Sequence, residues 1–367
     1  MKSLTRRDLL GLASAASAAA WLPASAQERR FAPEPGPWRS FEITTRVELA
    51  NAAGAARVWL PLPSVDSDYQ RSLENSWTGN AAAARIVSDS RYGAKMLYAE
   101  FPEGTASPVV QVTSRVQTRS RAVDWNSQAA AQEDPATLKS WTAATALMPT
   151  DGIVRDTARS ATKGAKTDVE KVQRLYEWVV SNTYREPKVR GCGVGDIKTM
   201  LETQNFGGKC GDINGLFVGL CRSIGVPARD VYGIRVVPSA FGYRELGGNS
   251  AKLQGAQHCR AEVFLAQHGW VAMDPADVGK VMRLETGEWI KDVNHPVVLP
   301  VRKALFGSWE GNWMAFNTAH DVALPGAQIA DRLAFLMYPQ AESAQGRYDT
   351  LDPDNFKYTI VARELTV

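Results

Sequence analysis

The run from Asn205 to Asp212, N-F-G-G-K-C-G-D, leads into the most constrained stretch of this 367-residue chain. From Cys210 onward, apolar residues fall at Ile213, Leu216, Phe217, Leu220 and Ile224. That is the three- and four-residue spacing of a single helix face. Gly225 can close the helix as a left-handed C′ residue, and Pro227 forbids its continuation. The chain then reads as strands, Val231 to Val237, His258 to Leu265 and Trp270 to Met273, the last two joined by the turn at Gln267-His268-Gly269. A helix followed by antiparallel strands is α+β order. The spacing therefore predicts a helix packed on an antiparallel sheet, with a cysteine at the helix N-terminus.

That position matters chemically. The unpaired N–H groups of a first helical turn favour negative charge, which lowers the pKa of a thiol placed there. Gly207 and Gly208 let the preceding loop turn tightly and leave room for a substrate backbone. A base is available in His258, since an imidazole can take the thiol proton and later return it to a leaving group. Strict alternation along its strand puts His258, Arg260, Glu262 and Phe264 on one face and Cys259, Ala261, Val263 and Leu265 on the other. Cys259 is therefore expected to point away from the site, into the core. Asp274 ends the next strand, where its carboxylate can accept the second imidazole N–H and fix the tautomer. Asp277 is the runner-up for that role.

Asp212 reads as a first-turn residue that offsets the helix dipole or bonds a nearby loop. The Cys210 N–H is one candidate oxyanion donor. The Gln204 side-chain amide is a weaker second, and Gln204 reads equally well as a loop-surface residue. With no close histidine pair and no C-x-x-C, neither a metal nor a cofactor is expected, and Cys192-Gly193-Val194-Gly195 reads only as a turn. Cys221 and Cys259 read as small buried hydrophobes, and the spacing of Cys192, Cys221 and Cys259 does not demand a disulfide.

The rest of the chain reads in segments. Residues 27–37 are polar and Pro-rich, a linker. Phe41, Ile43, Thr45, Val47 and Leu49 alternate with period two, Ala56 to Leu60 reads as a second strand, and further strand-like runs lie at 84–86, 96–98 and 109–116. Residues 38–122 are thus an N-terminal β domain. Short helices are expected in the Ala-rich connector 123–165, and Thr167-Asp168-Val169-Glu170 fits a capping box. The helix it opens, with Val169, Val172, Leu175 and Val179, begins a core spanning 166–300. A C-terminal extension, 301–367, ends in a strand-like run from Asn355 to Thr366.

Composition narrows the class. The chain is 44% hydrophobic and 22% charged with a net charge of +3, and no basic run is interleaved with aromatics, so a nucleic-acid partner is not expected. Thr5-Arg6-Arg7-Asp8-Leu9-Leu10, an Ala/Ser-rich apolar stretch and Ala24-Ser25-Ala26 read as a twin-arginine signal peptide over 1–26 with its cleavage site. Export to the periplasm is expected, with no stable membrane insertion after cleavage.

Three blocks together, Gly207-Gly208-Lys209-Cys210-Gly211-Asp212, Gln257-His258-Cys259-Arg260-Ala261-Glu262-Val263 and Trp270-Val271-Ala272-Met273-Asp274-Pro275, resemble the core of the transglutaminase-like superfamily. The resemblance covers roughly residues 165 to 280. It implies an α+β class: a papain-like, transglutaminase-like core with a helix packed on antiparallel sheet, to which the strand alternation adds the N-terminal β domain. It assigns the roles of nucleophile, base and orienter to Cys210, His258 and Asp274. The implied activity is cysteine-dependent acyl transfer or hydrolysis at amide bonds of a periplasmic protein or peptide. Exported bacterial members look more like peptidases or amidases than calcium-dependent cross-linkers, and no calcium loop is visible. A non-catalytic interaction module that keeps an idle site is the alternative.

Overall fold

A computed structural model describes residues 29–49, 52, 54–127 and 129–366. The leader expected over 1–26 lies outside the described residues. Among these residues no helix is long and apolar enough to cross a membrane.

The centre of the molecule is the helix Cys210–Ser223, with Ile224 as C-cap and Gly225 in the left-handed conformation (φ +83°) that the sequence anticipates. Every one of its 14 residues is buried. A helix enclosed on all sides must let its neighbours approach its backbone, and glycine makes this possible. A Cβ on Gly219 would lie 2.2 Å from the Ile197 Cδ1, and one on Gly211 would lie 2.8 Å from the Cys192 carbonyl oxygen.

The helix packs against a four-stranded antiparallel sheet ordered Gly269–Met273, Gln257–Leu265, Ala228–Arg235 and Trp313–Asn317. The register sets Gly233 opposite His258 and Ala261 opposite Met273. Gly233 has no substitute: a Cβ there would lie 2.2 Å from the Met314 carbonyl oxygen and 2.4 Å from the Trp313 ring. The helix Asp168–Asn182 flanks the central one, its Thr167 side chain accepting the Glu170 N–H at 3.1 Å. The Glu170 carboxylate takes the Lys166 N–H rather than that of Thr167, so the expected box closes one residue early.

Two further sheets form a sandwich. One is ordered Lys357–Leu365, Arg39–Glu48, Val109–Thr118, Gln70–Gly79; the other Gly346–Arg347, Gln340–Ser343, Ala56–Pro61, Lys95–Phe101, Ala83–Ser88. Val47, Leu60, Leu97, Phe101, Val112 and Phe356 fill the space between them. The strand Gln70–Gly79 has no counterpart in the sequence reading. Most of its side chains are exposed, so it carries no apolar alternation, and a register shift at Ser72/Glu74 breaks its pairing with Val109–Thr118.

The two ends of the chain meet in this sandwich. Strand Lys357–Leu365 pairs with Arg39–Glu48, setting Ile360 opposite Thr45, and Gln340–Ser343 pairs with Ala56–Pro61. At the other terminus, Phe31 is buried against Phe241 and Tyr243, with ring centroids 5.0 and 5.6 Å away, and Arg29 pairs with Glu285 at 2.6 Å.

Ile360 is 1% exposed, whereas its neighbour Val361 is 39% exposed. Truncating Ile360 to alanine is expected to cost about 2–5 kcal/mol, the usual range for a buried Ile→Ala change. Val361→Ala should change stability by less than about 1 kcal/mol. Urea unfolding of both variants checks this; equal midpoints would separate the tail from the cooperative core.

Candidate active site

Local sequence explains how the nucleophile candidate is presented. Lys209 is extended at the N-cap, and Cys210 is the first helical residue. Asp212 accepts the Lys209 N–H at 2.9 Å and the N–H groups of Val194 and Gly195 at 2.9 and 2.8 Å. Both roles offered for Asp212 are therefore filled: it sits in the first helical turn and fastens a loop. Burial is the main reason its carboxyl is pushed up from the ordinary range, against the bonds that favour its charged form. The loop it holds is Cys192–Gly195, a turn with Gly193 at φ +88°. A Cβ on Gly193 would fall 1.8 Å from an Asp212 carboxylate oxygen, so only glycine fits.

His258 is buried in the second strand of the sheet. Its Nε2 lies 2.7 Å from the Asp274 Oδ2 and 3.3 Å from the Asp277 Oδ2, which leaves Nδ1 as the ring nitrogen available to Cys210. Asp274 is also the N-cap of a helix absent from the sequence reading, Pro275–Leu284, and accepts the Asp277 N–H at 3.1 Å. Pro275 at the first helical position signals that start. Of the two carboxylates, Asp274 has the shorter bond to the imidazole. Asp277 is engaged by Arg235, whose guanidinium bonds it directly.

The site holds residues that the sequence did not single out. Asn214, one turn beyond Cys210, donates to the Asp274 Oδ1 at 3.1 Å and to the Cys259 carbonyl at 2.9 Å, and accepts the Ala276 N–H at 3.1 Å. It ties the cysteine's helix to the strand and to the aspartate's cap at once. Its i+4 spacing from Cys210 was the available signal. Arg260 lies 3.8 Å from Asp274, with its guanidinium 4.6 Å from the centre of the Trp313 ring. Trp313 in turn donates its indole N–H to the His258 carbonyl at 2.9 Å.

One expectation is overturned. Cys259 points into the core as alternation requires, but the core is where Cys210 lies, because the helix packs on that face of the sheet. The two Sγ atoms are 3.6 Å apart. Cys192, read only as part of a turn, joins them: the three Sγ atoms lie within 4.8 Å of one another. All four cysteines are free and buried. Gln204 is placed elsewhere. It ends the helix Ile197–Thr203 in a left-handed conformation (φ +53°), exposed to solvent, and no hydrogen bond joins it to Cys210.

The electrostatics favour a charged pair. The thiols of Cys192 and Cys259 stabilise a Cys210 thiolate, and His258 adds to this; together they outweigh burial and hold the Cys210 thiol well below its ordinary value. Burial and Arg235 work against a charged His258, but Asp277 and Asp274 prevail and raise its pKa to about 9. Burial, with the neighbouring Asp277, pushes Asp274 up, whereas Arg235 holds Asp277 well down despite burial. Both shifts favour a thiolate at Cys210 and an imidazolium at His258, the reactive state of a cysteine nucleophile.

The profile of the Transglutaminase-like superfamily matches residues 155–275. An uncharacterized protein of Haemophilus influenzae is 33% identical over 344 residues, covering 89% of this chain and 91% of its own. Among solved structures, a candidate cysteine protease from Cytophaga hutchinsonii is similar in fold, with a TM-score of 0.53 at 13% identity, over 90% of this chain and 99% of that one. The helix-on-sheet core, its strand-rich N-terminal region and the matched segment together make this chain a member of the transglutaminase-like superfamily, with a fold of the cysteine-enzyme type.

Proposed function

We propose that this protein is a cysteine-dependent enzyme of amide bonds, acting on proteins or peptides in the periplasm as a peptidase or amidase. The observation that carries the reading is the meeting of three elements: Cys210 opening the buried helix, His258 on the strand beside it, and Asp274 bonded to the His258 Nε2 at 2.7 Å. The Cys210 thiolate attacks the carbonyl carbon of the scissile amide, forming a C–S bond. The carbonyl electrons move to oxygen, for which the Cys210 N–H is the donor we assign, since the next two N–H groups already donate to the Cys192 and Lys209 carbonyls. As the C–N bond breaks, the His258 imidazolium gives its proton to the departing amine and a thioester remains. Neutral His258 then takes a proton from water, whose oxygen attacks the thioester and releases the acid and the thiolate. A primary amine in place of water would give transamidation. Asp274 holds the ring throughout. The leader-like segment at the N-terminus supports the periplasmic location.

One observation favours the alternative of an idle site. Cys210 is only 2% exposed, and Phe335 approaches the backbone of the next residue, within 3.5 Å of where a Gly211 Cβ would lie. The two readings separate on a thiol-directed amide probe applied to the mature protein. A working enzyme labels at Cys210. Cys210→Ala should abolish labelling, and His258→Ala should slow it by roughly 10²–10⁴-fold, the usual worth of a general acid–base. Asp274→Asn should slow it less than His258→Ala. Equal labelling of wild type and Cys210→Ala would end the enzymatic reading.

A second check is pH dependence. Because the Cys210 pKa is lowered, its thiolate persists on acidification below the ordinary range of about 8.5. Because the His258 pKa is raised, the imidazolium persists on alkalinisation until about pH 9. Alkylation of Cys210 by iodoacetamide should therefore remain fast at and below neutral pH, with its acidic inflection well under that of a free thiol. The rate of probe acylation should fall as pH rises through about 9. A single inflection near that of a free cysteine would contradict the ion pair.

A further inference from the structure

The Cys192, Cys210 and Cys259 cluster exceeds what acyl transfer needs, since that chemistry uses one sulfur. The three residues come from separate parts of the chain: the loop fastened by Asp212, the N-terminus of the central helix and the second strand of the sheet. Each is at most 5% exposed, and their Sγ atoms all lie within 4.8 Å of one another, with Cys210 and Cys259 at 3.6 Å. Three sulfurs around one metal ion at about 2.3 Å stand about 3.8–4.0 Å apart, whether the centre is tetrahedral or trigonal. The Cys210–Cys259 separation of 3.6 Å is a few tenths of an ångström short of that spacing, and all three sulfurs lie within 4.8 Å of one another, so small side-chain shifts bring them around one ion. A disulfide, by contrast, needs two sulfurs at about 2.05 Å and leaves the third unused.

We propose that Cys192, Cys210 and Cys259 form a three-thiolate site for a thiophilic d10 cation, with Cu(I) as its best-fitting occupant. Soft thiolate donors select Cu(I), whereas a closed zinc site takes four donors. Among the described residues no fourth cysteine, histidine or carboxylate lies within reach of all three sulfurs; His258 adjoins Cys210 but groups with Asp274 and Asp277. Binding exchanges thiol protons for the cation and requires little rearrangement. The Cys192 thiol gives up its bond to the Gln257 carbonyl, 3.4 Å away, and the Cys259 thiol gives up its contact with Cys210. An occupied site would take Cys210 out of service, so the same cluster would couple the availability of the nucleophile to the cation.

The test reads binding rather than turnover, so it stands apart from the proposed activity. Reduced, metal-free mature protein is titrated anaerobically with Cu(I) against a chromophoric Cu(I) chelator. One Cu(I) per chain is expected. Cys192→Ser and Cys259→Ser should each weaken binding by about 100-fold or more, since losing a ligand costs more than the ~10–100-fold cost of losing a partner outside the coordination shell. Cys221→Ser, at a buried cysteine outside the cluster, should bind as wild type does. Absence of stoichiometric uptake by the wild type, or equal losses in the Cys221 and Cys192 variants, would overturn the site. Should a cluster variant fail to fold, X-ray absorption at the copper edge of the loaded wild type decides instead. Three sulfur neighbours at about 2.3 Å support the site; a shell containing nitrogen, or only two sulfurs, overturns it.

Discussion

The structure depends on enclosing a helix completely. All 14 residues of Cys210–Ser223 are buried, so the helix has no polar face along which it could slide or turn. Its position is set instead by contacts on every side: the sheet, the Asp168–Asn182 helix, the Cys192–Gly195 loop and the Ile197–Thr203 helix. Glycines on its surface let the loop and the short helix come within backbone range. Enclosure also strengthens the electrostatics of the first turn, because the helix dipole acts on Cys210 without screening by solvent, even though the Gly211 and Asp212 N–H groups donate to the Cys192 and Lys209 carbonyls. The same contacts that immobilise the helix therefore immobilise its thiol.

Burying so many ionisable groups is costly unless their charges cancel. Around His258 they nearly do. The His258 ring and the guanidinium groups of Arg235 and Arg260 stand against the carboxyl groups of Asp274 and Asp277. Arg235 and Asp277 form a closed pair, leaving Asp274 as the carboxylate with the shorter bond to the imidazole. Asn214 then fixes Asp274 with a neutral bond, which orients the carboxylate without changing that balance. A group that raises the histidine pKa is useful only if it leaves one ring nitrogen facing the thiol, and placing both carboxylates on Nε2 achieves this.

Much of this was legible because burial leaves a periodic trace. The helix from Cys210 and its end at Gly225, the strand beginning near His258 and the aspartate closing the next strand all follow from apolar spacing and turn residues. Strand Gln70–Gly79 was not legible, because an exposed edge strand has no apolar side to register. Cys259 was misread for a different reason. Alternation tells which residues share a face but not what packs on that face, and here the central helix brings Cys210 to the side called core. The i+4 spacing put Asn214 on the face of Cys210, but its bonding partner Asp274 lies 60 residues away and the Cys192 partner Gln257 65 residues away, so the bonds themselves left no local pattern.

The C-terminal segment links these levels. Leu333–Phe335 runs close to the start of the helix, where Phe335 faces Gly211 and stacks on Tyr232 with ring centroids 5.0 Å apart. A few residues later, Gln340–Ser343 is locked into the N-terminal sandwich through its pairing with Ala56–Pro61. The segment beside the helix start is therefore fixed at one end by a large sheet and held at the other by the short pairing of Leu333–Phe335 with His320–Val322, the Phe335 stack on Tyr232 and the Asn317 amide bonded to the Leu336 carbonyl. All three residues of Leu333–Phe335 are partly exposed. Short, half-buried pairings open at much lower free energy than central strands. Any substrate that reaches Cys210 from this side would do so by displacing that three-residue strand, while the sandwich that anchors the segment stays intact.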